Sequence, residues 1–269
     1  PCGGAIPPRL IRDFAIPDEL LVARATSARM VSPTDKRVDI PIENGFVGMV
    51  DRDAFDEWLR ARAAGSGAQR QIGSFERLTR DDDGVSVVHY QARERPGDAA
   101  SAPRSVRARC VIGADGARSA VARQAIAGAE RNPCVFAYHE IVRAPLAKPV
   151  GYDGSRCDVY YRGSLSPDFY GWVFPHGDTL SIGTGSADKG FSLRAAVGRL
   201  RSDSGLQGAQ TLRREGAPIP MKPLRRWDNG RDVLLAGDAA GVVAPASGEG
   251  IYYAMASGRL AAEAAESAL

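Results

Sequence analysis

Two aspartates stand at the same kind of corner in this sequence, Asp115 in CVIGADGARSAVAR and Asp238 in VLLAGDAAGVVAPASGEG. Each follows a short apolar run and leads through glycines and small residues into a helix-forming stretch. At the carboxyl end of a strand in an open α/β sheet, such a carboxylate can accept hydrogen bonds from a ribose or polyol hydroxyl. Gly116, Gly237, Gly241, Gly248 and Gly250 remove side chains where backbone would have to approach a flat or phosphorylated ligand. A helix beginning near Gly250 would aim free N–H groups and its positive dipole end at a pyrophosphate, or at the electron-rich edge of a reduced flavin. Together these features point to a dinucleotide. Each aspartate could equally cap its helix and each glycine serve a tight turn, and one such unit alone does not decide between the two.

The elements that must position these residues follow from periodicity. Residues 46–64, FVGMVDRDAFDEWLRARAA, pass from an apolar strand to an amphipathic helix with Phe55, Leu59 and Ala63 on one face, Asp51 or Asp53 as cap, and Gly65-Ser66-Gly67 as stop. Segment 70–92 alternates and is split into a hairpin by Asp81-Asp82-Asp83-Gly84, and 93–105, with Pro96, Gly97 and Pro103, reads as a surface loop. Cys110 to Ile112 is a short buried strand. From 134 to 187 the runs VFAYHEIV, DVYY, FYGWVF and TLSIGTG predict an antiparallel sheet forming a second lobe. A short helix is expected over 190–201, no regular element in the proline-rich GAPIPMKP of 216–223, and a strand and helix from Asp232 onward. Tyr170, Trp172 and Phe174 alternate, so they share one face of a strand. Their spacing by itself favours core packing over the wall of an apolar site.

Composition narrows the classes. The chain has 269 residues, 44% hydrophobic and 25% charged, with a net charge of +3 and scattered arginines, which gives no case for nucleic acid. Cys2, Cys110, Cys134 and Cys157 form no C-x-x-C pair and His89, His139 and His176 no ligand spacing, so neither a metal site nor a disulfide framework is expected, and a reducing cytoplasm is. No apolar run approaches the ~18 residues of a membrane span, so membrane contact is expected to be peripheral. The chain opens at Pro1, inside a glycine-rich turn, as a fragment or processed chain would.

GADGARSAVAR and LLAGDAAGVVAPASGEGIYYAMASG resemble the two internal FAD motifs of the flavoprotein monooxygenase and reductase superfamily. PCGGAIP, FVGMVDRDAFDEWLRARA, SPDFYGWVFPHGDTLSIGTGS and SGEGIYYAMASGR resemble the geranylgeranyl reductase family, in its bacteriochlorophyll and chlorophyll branch, over nearly the whole chain. The resemblance implies an α/β fold: a Rossmann-like FAD-binding domain, incomplete at the N-terminus, with an inserted antiparallel β-sheet substrate domain as in aromatic-hydroxylase-like flavoproteins. Residues 40–133 and 225–269 are assigned to the FAD domain, and 1–39 and 134–224 to the substrate domain. The implied activity is saturation of three double bonds of a geranylgeranyl tail, on bacteriochlorophyll or as geranylgeranyl diphosphate, to give phytyl, with FAD reduced by NADPH in a cytoplasmic enzyme peripheral to the photosynthetic membrane.

By the same resemblance, Asp238 meets the ribityl chain, and Asp115 with Gly116 lies near the pyrophosphate or ribose. Arg52 contacts the ribose and phosphates. Gly237 belongs to the same cradle, Gly248, Glu249 and Gly250 bring amides to the flavin's pyrimidine edge, and Pro245 packs beside the ring. Cys2, Tyr170, Trp172 and Phe174 become substrate-pocket candidates, while the proton donor stays open among tyrosine, cysteine and water. The family's opening G-x-G-x-x-G unit has no counterpart here; Gly65-Ser66-Gly67 and Gly183-Thr184-Gly185 lack the third glycine. Weak FAD binding and poor stability are therefore expected of the chain alone. An FAD-dependent aromatic monooxygenase and a non-catalytic flavin- or isoprenoid-binding module are the alternatives.

Overall fold

The computed structural model describes residues 2–43, 45–95, 97–99, 102–145 and 152–268. In chain order the elements are β1 (Ala5–Ile6), α1 (Pro8–Asp13), β2 (Leu21–Ala25), β3 (Ser27–Val31), β4 (Arg37–Pro41), β5 (Val47–Val50), α2 (Arg52–Gly65), β6 (Gly73–Arg80), β7 (Ser86–Ala92), β8 (Ala102–Ala108), β9 (Val111–Gly113), α3 (Ala120–Ala125), β10 (Cys134–Arg143), β11 (Arg156–Tyr160), β12 (Gly171–His176), β13 (Thr179–Ser186), α4 (Leu193–Asp203), β14 (Thr211–Pro220), β15 (Val233–Leu235) and α5 (Ile251–Ala268). They divide into two compact units, Pro1–Leu59 with Val135–Pro218, and Arg60–Cys134 with Ile219–Leu269.

The first unit is built on a seven-stranded sheet in the order β14-β10-β13-β12-β11-β3-β4. Its register sets the two faces. Val173 lies opposite Ile182, and Val142 opposite Leu180; these residues, with Val31, Tyr160 and Leu165, bury themselves against Val197 and Leu200 of α4. The other face carries Trp172 opposite Gly183, which in turn lies opposite His139. A Cβ on Gly183 would meet Trp172 Cε2 at 2.5 Å and His139 Cβ at 2.6 Å, so the missing side chain is what lets the indole lie on the strand. Gly185 does the same for Phe169, whose Cδ1 would stand 3.0 Å from an added Cβ. The Gly183-Thr184-Gly185 pair is thus a bed for aromatic rings within a strand, not a nucleotide-binding turn. The small antiparallel sheet β1-β5-β2 packs Met49 and Ala25 with Cys157, and Phe174 joins that cluster.

The second unit holds the antiparallel sheet β6-β7-β8 and the parallel pair β9 and β15, with Leu234 beside Ile112. Val121, Ala122 and Ile126 pack on Val233, Leu235 and Ala240. Arg80 clamps Asp232 with both guanidinium nitrogens, at 2.7 and 2.8 Å, and the Ser86 hydroxyl donates to the same carboxylate at 2.9 Å. The Arg80 guanidinium holds the Asp232 carboxyl far below its usual range, so this tie joins the hairpin to the start of β15.

The α/β class and the inserted antiparallel sheet stand, but several details differ from expectation. Residues 40–59 belong with the first unit, because β4 pairs with β3, and β5 pairs with both β1 and β2. Residues 219–224 belong with the second unit. GAPIPMKP contributes to β14; β14 is an edge strand, where proline's missing N–H can face away from the sheet. Of the 93–105 loop, Pro96, Ala100 and Ser101 lie outside the described residues, and Ala102 to Ser105 belong to β8. On α2 only Phe55 is buried, Ala63 being exposed, and Ile112 of the short strand β9 is exposed as well. Gly183→Ala is expected to lower the unfolding free energy by ~1–3 kcal/mol, the cost of overpacking a filled site, read as a lower denaturant midpoint, whereas Gly65→Ala, with open space around it, should leave the midpoint unchanged or raise it.

Candidate functional site

In the second unit, the chain leaves β15 through a tight 3-10 turn, Gly237–Ala240. Gly237 is buried with φ +58°, and a Cβ there would stand 3.1 Å from Ala254 Cβ on α5. Its amide donates to Ser257 Oγ at 2.9 Å. Only a glycine combines that backbone twist with that approach, and the result is that Asp238 is delivered to the amino end of α5. The position of a Cβ on Gly250 lies 3.4 Å from Asp238 Oδ1 and 3.5 Å from Val243 Cγ2. The intervening loop closes on itself: Gly248 N donates to Ala244 O at 2.8 Å, and Ala244 N to Glu249 O at 2.9 Å. Gly248 has φ +64°, and Pro245 is exposed at the loop's outer side.

Glu249 turns its carboxylate onto the first turn of α5, accepting from Tyr252 N at 2.8 Å. Burial pushes its carboxyl up, against the opposing pull of the Tyr252 and Ile251 amides. Its side chain therefore caps α5, while its backbone shapes the loop. Asp115 behaves similarly. One oxygen accepts from Ala120 N at 2.7 Å and Val121 N at 3.1 Å, and the other takes the Ser119 hydroxyl. Ser119 Oγ itself accepts from Ala122 N at 2.8 Å, so Asp115 and Ser119 together cap α3. Gly116, with φ +83° and nothing within 4 Å of an added Cβ, leaves the neighbouring backbone open.

These features decide whether FAD fits. Small residues line the corner from Gly237 to Gly250, a carboxylate stands at the amino end of an 18-residue helix, and a second capped turn leaves open backbone at Gly116. Hydroxyl-bearing and phosphorylated groups need those features, and the residues present fit the cofactor. Asp238 stands beside Gly250 at the amino end of α5, and Asp115 turns one oxygen onto the first amides of α3 and the other onto Ser119.

The first unit brings the remaining candidates together. Asp51 caps α2, accepting from Asp53 N at 3.0 Å. Arg52 then pairs with Asp56 through two bonds, 2.8 and 3.0 Å, and its guanidinium also reaches Cys2. Burial works to lower the Arg52 pKa, but the Asp56 carboxylate outweighs it and keeps the group charged. Cys2 Sγ accepts from Gly4 N at 3.4 Å. The Gly3-Gly4 turn lies against the aromatic row: an added Cβ on Gly3 would meet Phe174 Cδ2 at 2.9 Å, and one on Gly4 would meet Val50 O at 2.5 Å and His176 Nε2 at 2.6 Å. Ring centroids run 6.0 Å from Tyr170 to Trp172 and 6.3 Å from Trp172 to Phe174. Tyr170 and Trp172 are buried and Phe174 is half-buried; burial raises the Tyr170 hydroxyl's pKa and keeps it protonated.

Several supporting residues escape a reading of motifs. Ser257 holds the Gly237 amide from 20 residues away, and His176 backs the Gly4 turn. His176 is recognisable only as the next same-face residue after Phe174 on β12. Among the described residues no group of histidines, cysteines and carboxylates could hold a metal ion.

The chain matches the FAD binding domain family over residues 19–263. It is 59% identical over 265 residues to the geranylgeranyl diphosphate reductase of Rhodobacter capsulatus, covering 98% of this chain and 66% of that protein. It is 39% identical over 272 residues to the chloroplastic geranylgeranyl diphosphate reductase of Oryza sativa subsp. japonica, covering 98% of this chain and 58% of that protein. Its fold is similar to that of a geranylgeranyl bacteriochlorophyll reductase-like protein from Thermoplasma acidophilum, with a TM-score of 0.83 at 23% identity, over 99% of this chain and 69% of the other. The chain therefore belongs to the FAD-binding domain family. Within it, the chain falls in the geranylgeranyl reductase family, spanning 66% and 58% of the length of the two curated relatives above.

Two substitutions separate the roles of the two aspartate corners. Asp115→Ala is expected to lower stability by ~1 kcal/mol through loss of the α3 cap, read as a shifted unfolding midpoint. Gly250→Val, which sets a branched side chain against Asp238, should weaken FAD binding by at least about tenfold, read by quenching of flavin fluorescence on titration with protein; equal affinity for both forms would exclude this corner as part of the FAD site.

Proposed function

We propose that this chain carries the FAD site and the isoprenoid site of a geranylgeranyl reductase, which saturates three double bonds of a geranylgeranyl tail to give phytyl. The reading is carried by one juxtaposition within the first unit: the Cys2-Gly3-Gly4 turn laid against Phe174, the half-buried end of the row Tyr170, Trp172 and Phe174. An isoprenoid tail has no polar handle, so its binding must come from shape and apolar burial at ~25 cal/mol per Å². Phe174, half-buried, is the ring of this row that offers such a surface, with Trp172 and Tyr170 packed behind it. Identity of 59% to a geranylgeranyl diphosphate reductase supports the same substrate class.

Residues of this chain then divide the work. Asp238, Gly237 and the Gly248 to Gly250 loop hold FAD at the amino end of α5, with Pro245 on the outer side of that loop. Gly116, beside the Asp115 cap, leaves backbone open to phosphates, and in the first unit Arg52 carries a fixed positive charge held by Asp56. When bound, FAD supplies two-electron hydride chemistry, with NADPH as the proposed reductant. The aromatic row excludes water from the alkene and holds it in one orientation. Cys2, held by Gly4 N and Arg52, borders that row, and Tyr170 keeps its proton there.

Geranylgeranylated pigment and geranylgeranyl diphosphate are both candidate substrates in this reading: PCGGAIPPRLI and SPDFYGWVFPHGD resemble the pigment enzymes more than the lipid reductases, and the relatives at 59% and 39% identity are named for the diphosphate. Among the described residues no helix is long and apolar enough to cross a membrane, and a tail soluble in lipid calls for peripheral contact with the photosynthetic membrane from the cytoplasmic side. Incubation of the FAD-loaded protein with NADPH and geranylgeranylated bacteriochlorophyll without oxygen should raise the tail mass in steps of two hydrogens. No mass gain with either the pigment or the free diphosphate would sink the proposal, and a product bearing oxygen, formed only in air, would identify a monooxygenase instead.

A further inference from the structure

The aromatic row has a polar support behind it. Trp172 Nε1–H donates to Ser181 Oγ at 3.0 Å, and Ser181 Oγ lies 2.9 Å from His139 Nδ1. On its far side, His139 Nε2 lies 3.1 Å from Glu215 Oε2. Glu215 is itself held, its Oε1 taking Arg213 Nε at 2.6 Å, while Arg213 Nη1 reaches Asp53 Oδ2, next to Arg52, at 3.1 Å. Donor and acceptor counts give the chain a direction. An indole N–H only donates and a carboxylate only accepts. Ser181 therefore accepts from Trp172 and passes its own hydrogen to His139 Nδ1, and the imidazole keeps its proton on Nε2 and donates to Glu215. Every member is satisfied with a neutral imidazole.

A serine, a histidine and a carboxylate in sequence suggest a nucleophile relay, but Ser181 is fully buried and its oxygen is occupied by the indole. No acyl substrate reaches it. The arrangement has a different use. Trp172 is buried on Gly183 with His139, Tyr170 and Phe174 around it, and its buried N–H needs an acceptor, which Ser181 Oγ provides. A fully satisfied buried network therefore selects the one ring orientation that directs Nε1 at Ser181. We infer that Ser181, His139 and Glu215 are positioning residues that fix the plane of the Trp172 indole, so that the row presents one rigid wall to an isoprenoid tail. The last clause rests on the isoprenoid reading above; the fixing of the indole does not. Preorganising such a wall reduces the ordering cost of binding a flexible chain.

The test uses the intact FAD-loaded protein with ¹⁵N-labelled tryptophan. It has three tryptophans, and Trp172→Phe assigns the signal of interest. Ser181→Ala should move the Trp172 indole N–H resonance upfield, and Glu215→Leu should move it the same way by less. Glu215→Gln, which keeps an oxygen for His139 Nε2–H, should leave it in place. KM for the geranylgeranyl substrate should rise roughly three- to tenfold in Ser181→Ala and Glu215→Leu, the scale of one lost neutral hydrogen bond, with kcat within about twofold and KM restored in Glu215→Gln. An indole resonance unmoved by Ser181→Ala or Glu215→Leu overturns the inference, as does a moved resonance with unchanged KM. If the unsubstituted protein saturates no geranylgeranyl chain, the functional reading fails, and the resonance shifts alone decide whether the network fixes the indole.

Discussion

The close approach of Gly237 to α5 is the constraint on which the cofactor side of the molecule rests. A backbone amide bonded to Ser257, a φ of +58° and a 3.1 Å clearance to Ala254 Cβ leave no room for any side chain. Because that contact fixes the exit from β15, the carboxylate of Asp238 and the amino end of α5 arrive at one point. The loop from Ala244 to Glu249 then only has to close on itself, which its own backbone bonds accomplish. Helix dipole, carboxylate and bare backbone thus converge through one steric condition.

The two aspartate corners look alike in the sequence but settle differently. Asp115 is absorbed by a six-residue helix, which is too short to stabilise itself and draws on the carboxylate and Ser119 for its free amides. The longer α5 takes the Glu249 carboxylate at its Tyr252 amide, and Asp238 lies beside Gly250 at the same helix end. A related division appears in the first unit, where one sheet face is given to the aliphatic core under α4 and the other to rings, glycines and a buried histidine.

Much of this was legible in the sequence because it is written in short-range patterns. The strand before α2, the Asp81 to Gly84 turn, the four runs of the central sheet and the helix from Gly250 onward all follow from periodicity and turn chemistry. The proline-rich strand β14 was not, because an edge position excuses prolines only once the strand order is known. The packing of residues 40–59 with the first unit was not legible for the same reason: β4 and β5 take their place from partners distant in sequence. Among site residues, the glycines and Asp238 announce themselves by type. Ser257, His176 and the Ser181, His139, Glu215 series do not, since each is an ordinary residue whose role comes from pairing across strands or turns.

The pairing of Trp172 with Gly183 has a consequence for how such a protein can change over time. The two positions face each other across adjacent strands, and a Cβ on one collides with the ring of the other. Neither can drift alone: any residue with a side chain at 183 first requires a smaller ring at 172, and a ring without the indole N–H leaves Ser181 Oγ without its donor. Inheritance must treat them as a single character, kept or lost together.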